Sequence, residues 1–453
     1  MARSVRILCY VHQNQRRINP LRHKFNKLTR STFVRNVTIV ASGTAGAQVI
    51  TMAFTPIITR LYDPETFGLL GTFMAILAIF TPIAALTYPV AIVLPKSDAD
   101  AVNLAKLSVG FAFGAAGIVA LVIFFFGDGI AQHLNVQSIA GFLLLIPLAM
   151  LFSAFHQILQ QWLIRKKQFK ITARIAVVQS LLINLTKAGL GWLYPFAAVL
   201  IVLSTFGNAL HAMLLLLSIR TQPMALPVRD EIDKRSSRPS NIKTLAKRHR
   251  DFPLYRAPQV MINAFSQSLP ILMLASFFDP VAAGFYTLGK MVMGIPSALI
   301  GKAVGDVFYP RITEAASNKE NLSKLIVKAT LALAAVGFTP FMVVIIFGPS
   351  LFAFVFGAEW VEAGEYASWL ALWLYTMFLT NACATAVIVI EQQKFDLIFA
   401  IYKVIARSVS LLIGFLYFGD DYISIVIFSI VSAIINIKFL FIVIYKVKKY
   451  EKR

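Results

Sequence analysis

The chain has 453 residues, of which 58% are hydrophobic and only 14% charged, with a formal net charge of +22. A soluble globular chain carries roughly 25% charged residues, so this one has too little polar surface for a water-soluble body of its size. The positive excess sits in loops and tails, where it meets anionic lipid and not nucleic acid, and the two cysteines, Cys9 and Cys383, imply neither a disulfide framework nor a metal site.

Residues 1–35 contain nine Lys or Arg, Pro20 and no acid. They lack the apolar run of about 7–15 residues that a signal peptide needs, and read as a basic cytoplasmic tail. Twelve spans follow, each near the roughly 20 residues that cross a bilayer. They fall at 37–60, 67–94, 103–126, 138–163, 171–193 and 195–219, then at 254–278, 281–305, 325–347, 366–390, 397–418 and 422–445. This is the pattern of an all-α polytopic membrane protein, with lobes of six helices over 36–219 and 254–445. Residues 220–253 are polar and basic, with Pro223, Pro227 and Pro239, and form a cytoplasmic linker with a short surface helix near Asn241–Arg250. Residues 446–453 form a second basic tail.

Two landmarks suggest that the lobes are copies. Asp63-Pro-Glu-Thr-Phe-Gly68 returns as Asp279-Pro-Val-Ala-Ala-Gly284, between two apolar runs in both cases. Leu94-Pro-Lys-Ser-Asp98 is echoed by Tyr309-Pro-Arg-Ile-Thr-Glu314. The offsets, 216 residues for the first pair of prolines and 215 for Pro95 and Pro310, agree to one residue.

Charge placement orients the chain. With the N-terminus in the cytoplasm, the outer loops hold Asp63, Glu65, Asp128, Asp279, Glu359, Glu362, Glu365, Asp420 and Asp421, with Arg60 the only cation. The inner side holds Arg165-Lys-Lys167, the linker and the C-terminal tail, a positive-inside pattern that puts both termini in the cytoplasm. No Ser-His-Asp arrangement, Walker loop or metal-ligand spacing appears. The outer loops are short for an enzyme that must hold two sugar chains, so no catalytic centre, cofactor or metal is expected.

Ionisable residues inside spans are costly and face water or a partner. Here they are nearly all cations: Lys187 in span five, Lys290 and Lys302 in span eight, Lys403 and Arg407 in span eleven, Lys438 in span twelve, and Arg60 at the end of span one. Lys403 and Arg407 are four apart and share a helix face. Lys302, Lys403 and Lys438 also fit snorkelling to the headgroups, and Arg60 also fits a pair with Asp63. Lys290, about nine residues in from the outer end of its span, is harder to explain that way. Cations without acids point to an anionic cargo: Arg forks and Lys point charges suit phosphate or pyrophosphate. Gln48 and Gln267, in the first span of each half, are secondary candidates. His156 and His211 read as separate, structural histidines.

The stretch from Ala41-Ser-Gly-Thr-Ala-Gly-Ala-Gln48 through Pro56-Ile-Ile-Thr-Arg60 to Pro64-Glu-Thr-Phe-Gly68 resembles the opening of the bacterial oligosaccharide flippases. These are the O-antigen and polysaccharide repeat-unit translocases of the multidrug/oligosaccharidyl-lipid/polysaccharide exporter superfamily. Asp251-Phe-Pro-Leu-Tyr-Arg256-Ala-Pro and Phe308-Tyr-Pro-Arg-Ile-Thr-Glu314 resemble the start of the second half in the same group. The resemblance spans about residues 30–445, and residues before about Lys27 depart from the family's compact start. It implies two six-helix lobes around a central cavity, a bacterial inner membrane, and a polyprenyl-pyrophosphate-linked oligosaccharide as cargo. Polysaccharide polymerase and chain-length proteins would be partners. Gln48, Pro56, Arg60, Pro64 and Gly68 match the family motif; assigning Lys187, Lys290 and Arg407 to the cargo rests on their charge alone. Two alternatives remain: a cation-coupled multidrug exporter on the same fold, and a membrane polysaccharide polymerase.

Overall fold

The computed structural model describes residues 32–95, 97–133, 137–221, 241–318, 320–390 and 392–451. Most of the expected N-terminal tail, the linker over 222–240, the end of the C-terminal tail and the side chain of Lys302 lie outside the described set.

Among the described residues there are twelve long helices and no strand. The first half contributes α1 (Thr32–Leu61), α2 (Pro64–Ala84), α3 (Asp98–His133), α4 (Leu145–Arg165), α5 (Phe169–Leu193) and α6 (Ala197–Thr221). The second contributes α7 (Ala257–Phe277), α8 (Pro280–Ser317), α9 (Leu322–Phe356), α10 (Val361–Leu379, continued by Asn381–Val389), α11 (Gln393–Ile413) and α12 (Asp421–Glu451). Ten of these stretches are long and apolar enough to cross a membrane by length and composition; α1 and α8 complete the twelve. Large apolar side chains cover the outside, with Phe124 73% and Phe354 82% exposed. In water such a surface would aggregate; in lipid it is the solvated face. The chain is a multi-pass membrane protein.

The repeated Asp-Pro motifs start α2 and α8 in the same way. Asp63 caps α2 by accepting a 2.7 Å hydrogen bond from the Thr66 amide, and Asp279 caps α8 through the Ala282 amide at 2.7 Å. Proline at the first helical position has its φ preset and gives up an amide that has no partner there anyway.

The second span does not run unbroken to residue 94. Its helix stops at Ala84, Leu86 and Thr87 take positive φ of 48° and 55°, and Tyr88–Val93 forms a 3-10 turn. Pro82 and Pro89 each remove a donor from the helical ladder. The left-handed turn is held from the far side of the linker. The Thr87 hydroxyl donates to the Phe252 carbonyl at 3.1 Å, and the Tyr88 hydroxyl to the Ala246 carbonyl at 3.2 Å. Ala246 lies on a short helix, Ile242–Arg248, capped by Asn241, in the place where the sequence suggests a surface helix. At this end Asp98 also pairs with Arg165 at 2.9 Å and with Lys166.

Within the first half α1 packs on α5, α4 on α6 and α3 on α4; within the second α9 packs on α10, α8 on α10 and α11 on α12. The α1–α5 seam is built on small residues: a Cβ at Gly43 would sit 2.4 Å from Ala173, and the Thr51, Ser180 and Asn184 side chains bond across it. Small residues let membrane helices approach, and hydroxyl and amide groups then bond across the gap.

The halves meet chiefly where α2 crosses α7 and α8. At the crossing Gly68 faces Pro280 and Gly284 faces Pro64: a Cβ on Gly68 would lie 1.6 Å from the Pro280 carbonyl oxygen, and one on Gly284 1.9 Å from that of Pro64. Two glycines at repeat-related positions thus pack reciprocally, backbone on backbone. Beside them the Trp360 indole donates to the Thr59 carbonyl at 2.9 Å, and the Thr59 hydroxyl to the Phe356 carbonyl at 3.1 Å. The lobes are therefore closed on each other at this Asp-Pro end.

Candidate functional site

The site forms where α7, α8, α10, α11 and α12 converge. Lys290 is on α8 and its ammonium donates to the Gln267 carbonyl on α7 at 2.6 Å. Pro270, inside α7, lacks the amide that would bond the Ser266 carbonyl, and its ring loosens that turn, which leaves the neighbouring carbonyl open to Lys290. The Lys290 ammonium also lies 5.7 Å from the Tyr286 ring, one turn earlier on the same helix.

Arg407 is 7% exposed, in the middle of α11. Its guanidinium lies 5.0 Å over the Trp373 ring of α10. Phe428 of α12 joins the two cation sites, with its ring edge-on to Trp373 at 5.0 Å and to Tyr286 at 6.4 Å. Lys290 and Arg407 thus sit at the two ends of one aromatic chain, Tyr286–Phe428–Trp373.

Three donors in this cluster are buried without a protein hydrogen-bond partner: the Tyr286 hydroxyl, the Trp373 indole N–H and the Arg407 Nε. A buried donor left unmade costs about 1–3 kcal/mol. Three beside two cations make a site that lacks an acceptor.

A polar pocket of about 110 Å³ opens against Arg407, lined also by Lys403, Asn263, Gln267, Thr380 and Asn436. The Lys403 ammonium lies 5.5 Å from the Phe399 ring and 5.3 Å from that of Phe439. Ile262 and Val404 are shared between this pocket and an apolar one of about 320 Å³. Ile79 and Phe265 are shared in turn between that one and a groove of about 800 Å³ between α2, α3 and α7, lined almost wholly by apolar atoms. A cationic end thus continues into a long apolar trough.

The candidate cations separate into two groups. Lys290, Arg407, Lys403 and Gln267 come together, and the shared helix face of Lys403 and Arg407 appears as one wall of the pocket. Arg60 lies apart at the Asp-Pro end, exposed, with its guanidinium donating to the Phe354 carbonyl at 3.4 Å. It does not pair with Asp63, whose carboxylate is used as the α2 cap. Lys187 lies on α5, which packs on α1 and α6, and its backbone carbonyl accepts from the Tyr62 hydroxyl at 3.1 Å. Gln48 is half-buried on α1 and does not line the pocket. Pro56 sits within α1, while Pro64 and Gly68 belong to the lobe crossing. Sequence reasoning missed Tyr286 and Trp373, since a lone aromatic in an apolar span gives no sign that its polar tip lacks a partner.

The helices and the buried cationic site define a multi-pass helical membrane protein, and solved structures share its fold. An inward-facing multidrug resistance MATE family transporter of the MOP superfamily superposes with a TM-score of 0.68 at 14% identity, over 90% of this chain and 95% of that one. The lipid II flippase MurJ, in an inward closed conformation, superposes with a TM-score of 0.64 at 15% identity, over 89% of this chain and 87% of that one. At these identities the likeness is one of fold: twelve helices in two lobes. No curated protein matches the sequence. A family profile described as "Polysaccharide biosynthesis protein" matches residues 57–365, more than half of the chain. The protein belongs to this polysaccharide biosynthesis family.

Proposed function

We propose that the protein is a flippase. It moves a polyprenyl-pyrophosphate-linked oligosaccharide repeat unit from the cytoplasmic to the outer face of a bacterial inner membrane, for the assembly of O-antigen, capsule or exopolysaccharide. Both termini are cytoplasmic in this reading, the Asp-Pro end faces outward, and polysaccharide polymerase and chain-length proteins take over the product. The observation that carries it is a cationic pocket lined by Arg407, whose Nε is unpartnered, sharing wall residues with the apolar trough. An anionic amphiphile has that shape: the diphosphate faces Arg407 and Lys290, and the lipid chain follows the trough toward the bilayer. A pocket of about 110 Å³ takes a diphosphate and not an oligosaccharide, so the sugars enter as the lobes part on the linker side.

The cations and donors offset the desolvation of the diphosphate, and membrane potential assists its exit. Each negative charge moving outward gains about 2.3 kcal/mol per 100 mV. The multidrug alternative needs an organic cation to sit beside Arg407 and Lys290, which repel it. Lys187 and Arg60 act outside the pocket in this reading, Arg60 as part of the outer closure.

The test is translocation of a lipid-linked oligosaccharide in proteoliposomes. Hydrogen bonds to charged groups contribute about 1.5–3 kcal/mol, so Lys290→Ala and Arg407→Ala should each slow translocation roughly tenfold or more while inserting normally. Wild-type rates in both variants would overturn the assignment, and gradient-driven uptake of organic cations would favour the multidrug reading.

A further inference from the structure

The two histidines that look separate in the sequence are neighbours in the fold. His156 on α4 and His211 on α6 lie in contact, with ring centroids 4.2 Å apart and planes tilted by 38°. The Nε2 of each is buried with no hydrogen-bond partner. One turn before, the Asn208 amide donates to the Ser153 hydroxyl at 2.9 Å, so α4 and α6 run in register through two successive polar rungs. Ser153, His156, Gln157 and Gln160 recur at helical spacing on α4, and Ser204, Asn208 and His211 on α6. A polar seam therefore runs inside the first lobe toward the linker end, away from the cationic pocket.

The charged groups on the surrounding elements do not serve the pair. Glu65 lies in the first turn of α2; Asp100 and Lys106 lie toward one end of α3 and Asp128 toward the other; Lys170, Arg174 and Lys187 lie on α5. Arg165 on α4 is taken up by Asp98. Among the described residues neither ring takes part in an ion pair. A structural histidine commonly has its ring nitrogens bonded; here the Nε2 of each ring is buried and unbonded. Imidazole is the side chain that takes up a proton near neutral pH. Two touching rings accept one proton and then resist a second, because like charges so close disfavour each other.

We propose that His156 and His211 together form a proton-binding site inside the first lobe, and that the bound proton loosens the α4–α6 seam. The first proton leaves a net positive charge with no counter-ion, which is better solvated if water enters between the helices. The proton is a ligand in its own right, bound by residues that the cargo reading does not use.

The test uses the full chain in nanodiscs without cargo, so its failure is distinguishable from failure of the flippase reading. Spin labels at Gln161 on α4 and Met213 on α6 should report a distance that lengthens as the pH is taken from about 8 to about 3.5. His156→Gln and His211→Gln should each abolish that change while keeping the distance seen at pH 8, and Ser153→Ala, which removes the neighbouring rung, should retain it. Imidazole ¹⁵N spectra of the unsubstituted protein give a readout that does not depend on how a variant folds: one proton should enter per pair of rings. A distance that ignores pH, a pH response that survives both histidine variants, or rings that stay unprotonated throughout would each overturn the proposal.

Discussion

Arg407 shows what a single side chain contributes here. Its guanidinium lies over the Trp373 ring at 5.0 Å with Nε unbonded, and among the described residues it has no carboxylate partner. A cation over an aromatic face gains about 0.5–2 kcal/mol, which helps to hold the buried charge when cargo is absent. Lysine would keep the charge but lose the delocalised guanidinium over the ring and the fork that matches two phosphate oxygens. Arg407→Lys should therefore translocate about tenfold more slowly than wild type although its net charge is unchanged. Equal rates would mean that a point charge suffices and that the guanidinium contact with Trp373 has no role in transport.

Among the elements, the paired starts of α2 and α8 matter most. Each begins with an Asp cap and a proline, and each carries a glycine four residues after that proline, at the point where the other helix crosses. A methyl group at Gly68 would have to displace the Pro280 carbonyl, which is backbone and cannot swing aside. Gly68→Ala should therefore separate the two helices and open the Asp-Pro end. Ala283, fully buried in the first turn of α8, is a suitable reporter. A cysteine at Ala283 should resist a water-soluble maleimide in the wild-type background and react readily alongside Gly68→Ala. Continued protection would show that the crossing is not what closes this end.

Across the whole molecule, the lobes are joined at the Asp-Pro end by the helix crossing and by side chains that reach from one lobe to the other. Trp360 is fully buried between them, edge-on to Phe67 at 5.0 Å, with its indole bonded to the Thr59 carbonyl. Phenylalanine at 360 keeps the ring and removes the bond. A net hydrogen bond contributes about 1 kcal/mol, so Trp360→Phe should raise maleimide reaction at Ala283→Cys roughly fivefold, far less than Gly68→Ala does. A change as large as that of the glycine variant would place the closure in the side chains and not in the backbone crossing.

The sequence by itself determined the class of protein. Apolar helical runs of bilayer length follow from the cost of an unbonded backbone in lipid, which acts locally along the chain, and the repeated Asp-Pro motif is legible as a spacing. Lys403 and Arg407 were legible as a pair because one helix fixes their spacing. Other relationships depended on which helices pack together, and apolar spans that resemble one another carry little record of their neighbours. Only the tertiary structure linked Lys290 to Arg407 through Tyr286, Phe428 and Trp373, left Arg60 and Lys187 outside that cluster, and set His156 against His211. Burial and partnering are properties of the packed lobes, so the chemistry of these groups was decided there.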